Sequence, residues 1–217
     1  MRVAGVLRCF VLASGVLVAT ACTGSDAAPN LSPVSSAPGS SVVSSSVATT
    51  PTASPAYPDD VPLTGHNVRP GEKPPVYPAA AKAHTQAGAN AFAEFFMRTL
   101  DWAYATTNPS YMKHYYGPSC GLCSGLATGI IKTAAEHHMY EGGRLAVHPV
   151  QTTPVGPVTA PAEFCSHLVI DESATAVVDQ RGNVVSGDGA HAADQLKLCT
   201  SSRAQGARQV TYLAFLS

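Results

Sequence analysis

Charge is what this chain has least of. Acidic and basic residues make up 12% of its 217 residues, about half the share of an ordinary soluble domain. The 13 Lys and Arg are scattered among 14 Asp and Glu, leaving a formal charge of −1. There is no basic run and no interleaving of aromatic with basic residues, so no nucleic-acid partner is expected. Beyond residue 22 no apolar run approaches the roughly 20 residues that a membrane-crossing helix needs. A Gly-rich phosphate loop, a Ser-His-Asp order and a paired-carboxylate motif are all missing. With them go the recognisable signatures of phosphoryl transfer, triad hydrolysis and glycoside cleavage. Internal repeats are absent too, and no cofactor is expected.

What is present begins with an address. Arg2 and Arg8 form a short basic segment, and Cys9 to Val18 carry no charge, a run of signal-peptide length rather than membrane-span length. Val18-Ala19-Thr20-Ala21-Cys22 follows. A small residue directly before a cysteine suits lipoprotein signal peptidase, which cuts once the sulfur carries a diacylglycerol. Ala19-Thr20-Ala21 also fits the A-x-A site of the ordinary peptidase, and either cut leaves Cys22 first. We expect residues 1–21 to be a lipoprotein signal peptide and Cys22 to be the lipidation site. Two or three acyl chains, palmitate among them, would then hold the protein on the extracytoplasmic face of the cell membrane, each buried CH₂ adding about 0.8 kcal/mol.

A tether follows the anchor. Of the 36 residues from Thr23 to Pro58, 10 are Ser, 4 Thr, 6 Pro and 6 Ala, and Asp26 carries the one charge. Such a stretch has too little large apolar surface to offset its ordering entropy, so disorder is expected. Prolines continue through "VPLTGHNVRPGEKPPVYP", which reads as an extended arm, and the expected tether therefore spans 22–81. Its length places the domain on the order of 40 Å or more from the membrane. Residues 82–217 remain, enough for a single domain with one core.

That domain reads as helix first and strand afterwards. From Thr85 to about Thr106, Ala89, Phe92, Ala93, Phe96, Leu100 and Ala103 recur at helical spacing. Asn108-Pro109-Ser110 stops this helix and starts a short second one. A third helix is expected from about Cys120 or Ser124 to Tyr140, with Ala127, Ile130, Ile131, Ala134 and His138 on its apolar stripe and Gly142-Gly143 ending it. The period then changes to two, with strands expected near 144–153, 163–171, 174–179, 192–202 and 208–216. "DQRGNVVSGDG" reads as turn and loop. The fold class expected is α+β, N-terminal helices packed on one curved antiparallel sheet.

Six cysteines fall to four once Cys9 is removed and Cys22 modified. In an oxidising compartment four thiols become disulfides, with three pairings open. Cys120 and Cys123 can close only a local loop. Cys165 and Cys199 sit in alternating apolar segments that could be neighbouring strands. Cys120–Cys123 and Cys165–Cys199 are therefore the pairs expected. A 35-residue loop stabilises by roughly 3.8 kcal/mol and a four-residue loop by about 1.9, so the longer link is the structural one.

Cys120-Gly-Leu-Cys123 also has a chemical reading. A cysteine at a helix N-terminus has a lowered pKa, and the spacing is near that of thioredoxin. No strand directly precedes it, however. A metal would need further ligands, and adjacent His137 and His138 point in different directions on a helix, so no metal site is expected.

The chain resembles a family of actinobacterial lipoproteins. The likeness rests on Cys22, the Ser/Thr/Pro tether, "ANAFAEFFMRTLDWAY", Cys120/Cys123 and Gly142-Gly143. The resemblance implies a fold similar to the nuclear-transport-factor-two-like cone, which includes ketosteroid isomerase and polyketide cyclases and encloses an apolar pocket. The family carries no assigned activity, and no catalytic residue matches. Candidate pocket residues are Trp102, Tyr104, His138 and Tyr140. Together these features point to a binding module for a small apolar ligand or another envelope protein, with oligomeric state left open. The alternatives are a thiol–disulfide oxidoreductase using Cys120 and Cys123, or a cone-fold enzyme whose pocket residues the sequence does not identify.

Overall fold

The structure, a computed structural model, describes residues 57–148, 162–203 and 207–216. The expected signal peptide, Cys22, most of the expected tether and the end of the strand expected near 144–153 lie outside the described residues.

Helix α1, Gln86–Thr106, begins where its cap dictates. Thr85 Oγ1 accepts from the Gly88 N–H at 3.1 Å, satisfying one of the orphan donors of the first turn. Its predicted stripe faces the sheet, with Phe92, Ala93 and Phe96 without exposed surface. The helix is buried off the stripe as well: Phe95 and Trp102 are only 3% and 2% exposed. What covers them is the arm. The Trp102 indole donates to the Pro62 carbonyl at 2.9 Å, the Tyr111 hydroxyl donates to Pro75, and the Tyr77 ring packs edge-on against Phe95 at 5.1 Å.

This moves the domain boundary. Residues 57–81, expected to belong to the tether, join the core through Val61 and Ala81. A one-turn 3₁₀ helix, Ala79–Lys82, leads into α1. Buried Arg208 holds this entry by donating to the carbonyls of Ala81 and Ala83.

Helix α1 ends at Thr107, which takes a left-handed φ of 50°. The one-turn α2, Ser110–Lys113, follows, with the Asn108 side chain accepting from the Ser110 N–H. Helix α3 runs Gly121–Ala135, ending five residues earlier than expected. Glu136 is its C-cap, and His137 turns left-handed at φ 58°. The His137 N–H reaches the Ala134 carbonyl and the His138 N–H reaches Thr133, the double closure of a Schellman cap. His138 therefore leaves the helix and sits on no helical stripe. Ile131 is also turned outward, at 47% exposure; Leu122, Leu126 and Ile130 pack inward instead.

Among the described residues seven strands follow, in two antiparallel sheets where the sequence pattern suggests one. The smaller sheet orders β1 (Met139–Gly142), β4 (Thr175–Val178) and β5 (Val184–Asp188). The larger orders β2 (Leu145–Val147), β3 (Phe164–Glu172), β6 (His191–Ser202) and β7 (Arg208–Leu216). Gly142 and Gly143, at φ 67° and 62°, carry the chain from one sheet to the other. A Cβ on Gly142 would stand 2.0 Å from the Ala174 carbonyl oxygen, so only glycine fits. Strand β5 occupies part of "DQRGNVVSGDG", expected to be loop. It is exposed along its whole length, which explains why no period-two burial pattern marks it.

The α+β class holds, and so do both cysteine pairs. Cys165 and Cys199 are direct partners in the β3–β6 register, with Cα atoms 4.0 Å apart, and are bonded. Cys120 and Cys123 are bonded across the first turn of α3.

Candidate functional site

Where α1, α3 and the inner face of the larger sheet converge, the packing leaves a cleft. Helix α1 contributes Met97, Leu100 and Tyr104, and α3 contributes Leu122 and Leu126. The floor is Ile170 of β3 and Leu196 of β6, and Phe215 of β7, 58% exposed, stands at the mouth. Among the described residues the one charged side chain lining it is Glu172. The cavity volume is about 40 Å³. Sites for whole drug-sized molecules run to roughly 300–1,000 Å³, so this one admits the end of an apolar chain.

A wider cavity of about 570 Å³ opens on the other side of Leu145 and Glu172, both of which line the two spaces. Charged side chains line it beside Leu145 and three alanines: Arg69 and Glu72 from the arm, Asp101 from α1, Arg144, and Asp171 with Glu172 at the end of β3. Arg144 organises them. Its guanidinium donates to both Asp101 oxygens, at 2.9 and 2.7 Å, to both Glu72 oxygens, and to the Asn67 carbonyl. Hydrogen bonds to Asp101 first and Glu72 second push the Arg144 pKa up, outweighing its partial burial. The same guanidinium holds the Glu72 carboxyl below its ordinary range. Asp171 pairs with His148 at 2.7 Å and accepts from the Ala193 N–H.

The four expected pocket residues part company. Tyr104 lines the cleft. Burial, with Tyr140 and the Glu172 charge behind it, pushes its pKa up to about 12. Tyr140, on β1, packs edge-on against Tyr104 at 5.0 Å and shares a hydrogen bond with Thr133. Trp102 is on the far side of α1, under the arm. His138 sits beside Glu136 at 3.6 Å, outside the cleft lining. The residues that sequence reasoning missed are Leu122, Leu126, Arg144 and Glu172. One signal was available: Ser166, Leu168, Ile170 and Glu172 alternate along β3, and the first three are buried. A charge completing a buried face is a site signal.

Cys120 and Cys123 have no exposed surface. The Cys120 sulfur accepts from the Cys123 N–H at 3.3 Å, capping α3. Among the described residues no three His, Cys, Asp or Glu converge on a point that could hold a metal ion.

Residues 68–207 match the model of a family of unknown function, DUF6318. The chain belongs to this family. The DUF6318 match starts within the arm and takes in α1–α3 and the wider cavity, but stops short of β7, which gives the cleft Leu213 and Phe215. No curated protein matches the chain. Among solved structures it is similar to the intermembrane space region of the chloroplast protein ARC6. The identity is 12% and the TM-score 0.42, over 62% of this chain and 98% of that one.

Proposed function

We propose that this DUF6318 chain is a lipoprotein of actinobacterial type, anchored through Cys22 on the extracytoplasmic face, whose domain binds a ligand in the paired cavities. The observation that carries the binding reading is the apolar cleft opening beside a roomier cavity that holds several charged side chains, across a shared wall. A concave site that is apolar with a few converging polar groups is the usual form of a small-molecule site. The small size of the cleft moves the reading away from a wholly apolar ligand held inside a cone. Helices α1 and α3 packed against the larger antiparallel sheet support the cone-like reading of the fold.

The binding test uses 1-N-phenylnaphthylamine, a dye that fluoresces when it leaves water. The domain should brighten it, and Leu126→Arg, which puts a charge in the cleft wall, should abolish the signal while leaving the circular dichroism intact. A dye that stays dark with the unaltered chain removes the binding reading. The anchor has its own test: mass spectrometry should find acyl chains on Cys22, and Cys22→Ser should release the protein from the membrane.

The thiol–disulfide reading stands second. The position of Cys120 at the start of α3 favours it, since unpaired N–H groups there stabilise a thiolate. Complete burial of both cysteines opposes it. A reduction potential below about −300 mV would mark the bond as a staple, and one between −120 and −230 mV as a redox centre.

A further inference from the structure

We infer that the wall shared by the two cavities is an ammonium subsite, in which Glu172 takes the positively charged nitrogen of a small ligand whose apolar end enters the cleft between α1 and α3. The inference rests on the ligand-binding reading above and adds the chemical class of the ligand.

The charges around the wider cavity are unbalanced. Glu72, Asp101, Asp171 and Glu172 line it against the guanidiniums of Arg69 and Arg144 and the imidazole of His191, which stands opposite Glu172 in the β3–β6 register but pairs with Asp188 at 3.4 Å. Arg144 is held by two carboxylates at once, so an anionic ligand would have to compete with both for it. Asp171 is engaged by His148. Glu172 is different. Its Oε1 accepts from the Thr175 hydroxyl at 2.9 Å, and among the described residues no cationic side chain pairs with it.

Glu172 is also the carboxylate that faces both spaces, and Tyr104 shares the cleft with it. A carboxylate beside an aromatic ring is what a desolvated ammonium group favours: one supplies opposite charge, the other the negative face of its π system. Dimensions agree with this division. The narrow cleft suits an apolar end, while the larger cavity holds the polar remainder and its water.

The test compares three probes of equal chain length, n-octylamine, n-octanol and sodium octanoate, by calorimetry at pH 7. The full chain carrying Cys22→Ser is used, so that no detergent competes for the cleft. Octylammonium should bind at least tenfold more tightly than octanol, with octanoate weakest. Glu172→Gln keeps an acceptor for Thr175 and should erase that preference while leaving octanol affinity within twofold. Octanoate binding as tightly as octylammonium, or a preference unchanged in Glu172→Gln, overturns the ammonium subsite but leaves the cleft standing. If none of the three binds, the cleft reading fails together with it.

Discussion

His137 shows how much one residue can decide. At φ 58° it makes the left-handed turn that ends α3, a conformation that costs an L-residue roughly 1–2 kcal/mol and glycine almost nothing. His137→Gly should therefore raise unfolding free energy by about 1 kcal/mol in urea titrations; a loss would mean that the imidazole makes a compensating contact. Trp102→Phe removes the donor to the Pro62 carbonyl. It should cost about 1–2 kcal/mol, the price of a buried hydrogen bond plus some packing. Tyr104 carries a pH prediction. Its folded pKa, about 12, lies above the ordinary value of 10.0, so the folded state keeps a proton that the unfolded state releases. Its contribution to stability is complete below pH 10 and is lost as pH rises toward 12. Urea midpoints measured from pH 8 to 12 should fall above pH 10, and Tyr104→Phe should make the fall shallower.

At the scale of elements, the arm and the α3 cap are the joints to test. Arg144 ties Glu72 of the arm to Asp101 of α1 with side chains 10%, 25% and 17% exposed. Replacing one member of a mostly buried ion cluster leaves the others unpaired, so Arg144→Gln should cost on the order of 3 kcal/mol. The same variant should make residues 57–81 the first site of proteolysis. The Glu72 pKa is lowered, which makes its contribution one that is present above the ordinary carboxyl range and lost as pH falls. In Arg144→Gln the acid limb of the stability curve should flatten. The disulfides differ in the loops they close. Replacing Cys165 and Cys199 together should cost about 4 kcal/mol, and replacing Cys120 and Cys123 about 2. Equal losses for the two pairs would show that packing of the sulfurs outweighs loop closure.

At the scale of the whole molecule, the arm is part of the fold. A chain beginning at Lys82 would expose Phe95 and Trp102, each contributing roughly 1.5–3 kcal/mol by burial. That loss is comparable with the net stability of a domain, about 5–15 kcal/mol. Such a chain should bind hydrophobic dyes and unfold at far lower urea than one beginning at Tyr57. Equal midpoints would show the arm to be ornamental.

The sequence by itself was enough for α1, for the helix-then-strand order and for both cysteine pairs. Each depends on neighbours in the chain: the Thr85 cap, the stripe through Phe92 and Phe96, the alternation that puts Cys165 and Cys199 on facing strands. Only the tertiary structure decided the rest. A proline-rich arm carries no periodic signal, and its order comes from α1 side chains that lie on no single stripe. The end of α3 was misplaced because His137 fills a position where glycine is the usual marker, and β5 because an exposed strand has no buried face to alternate. The cleft is distributed over two helices and four strands of one sheet, so no segment encodes it. Glu172 becomes a site residue through what surrounds it: Leu145 on one side, Tyr104 on the other, and an Arg144 already occupied.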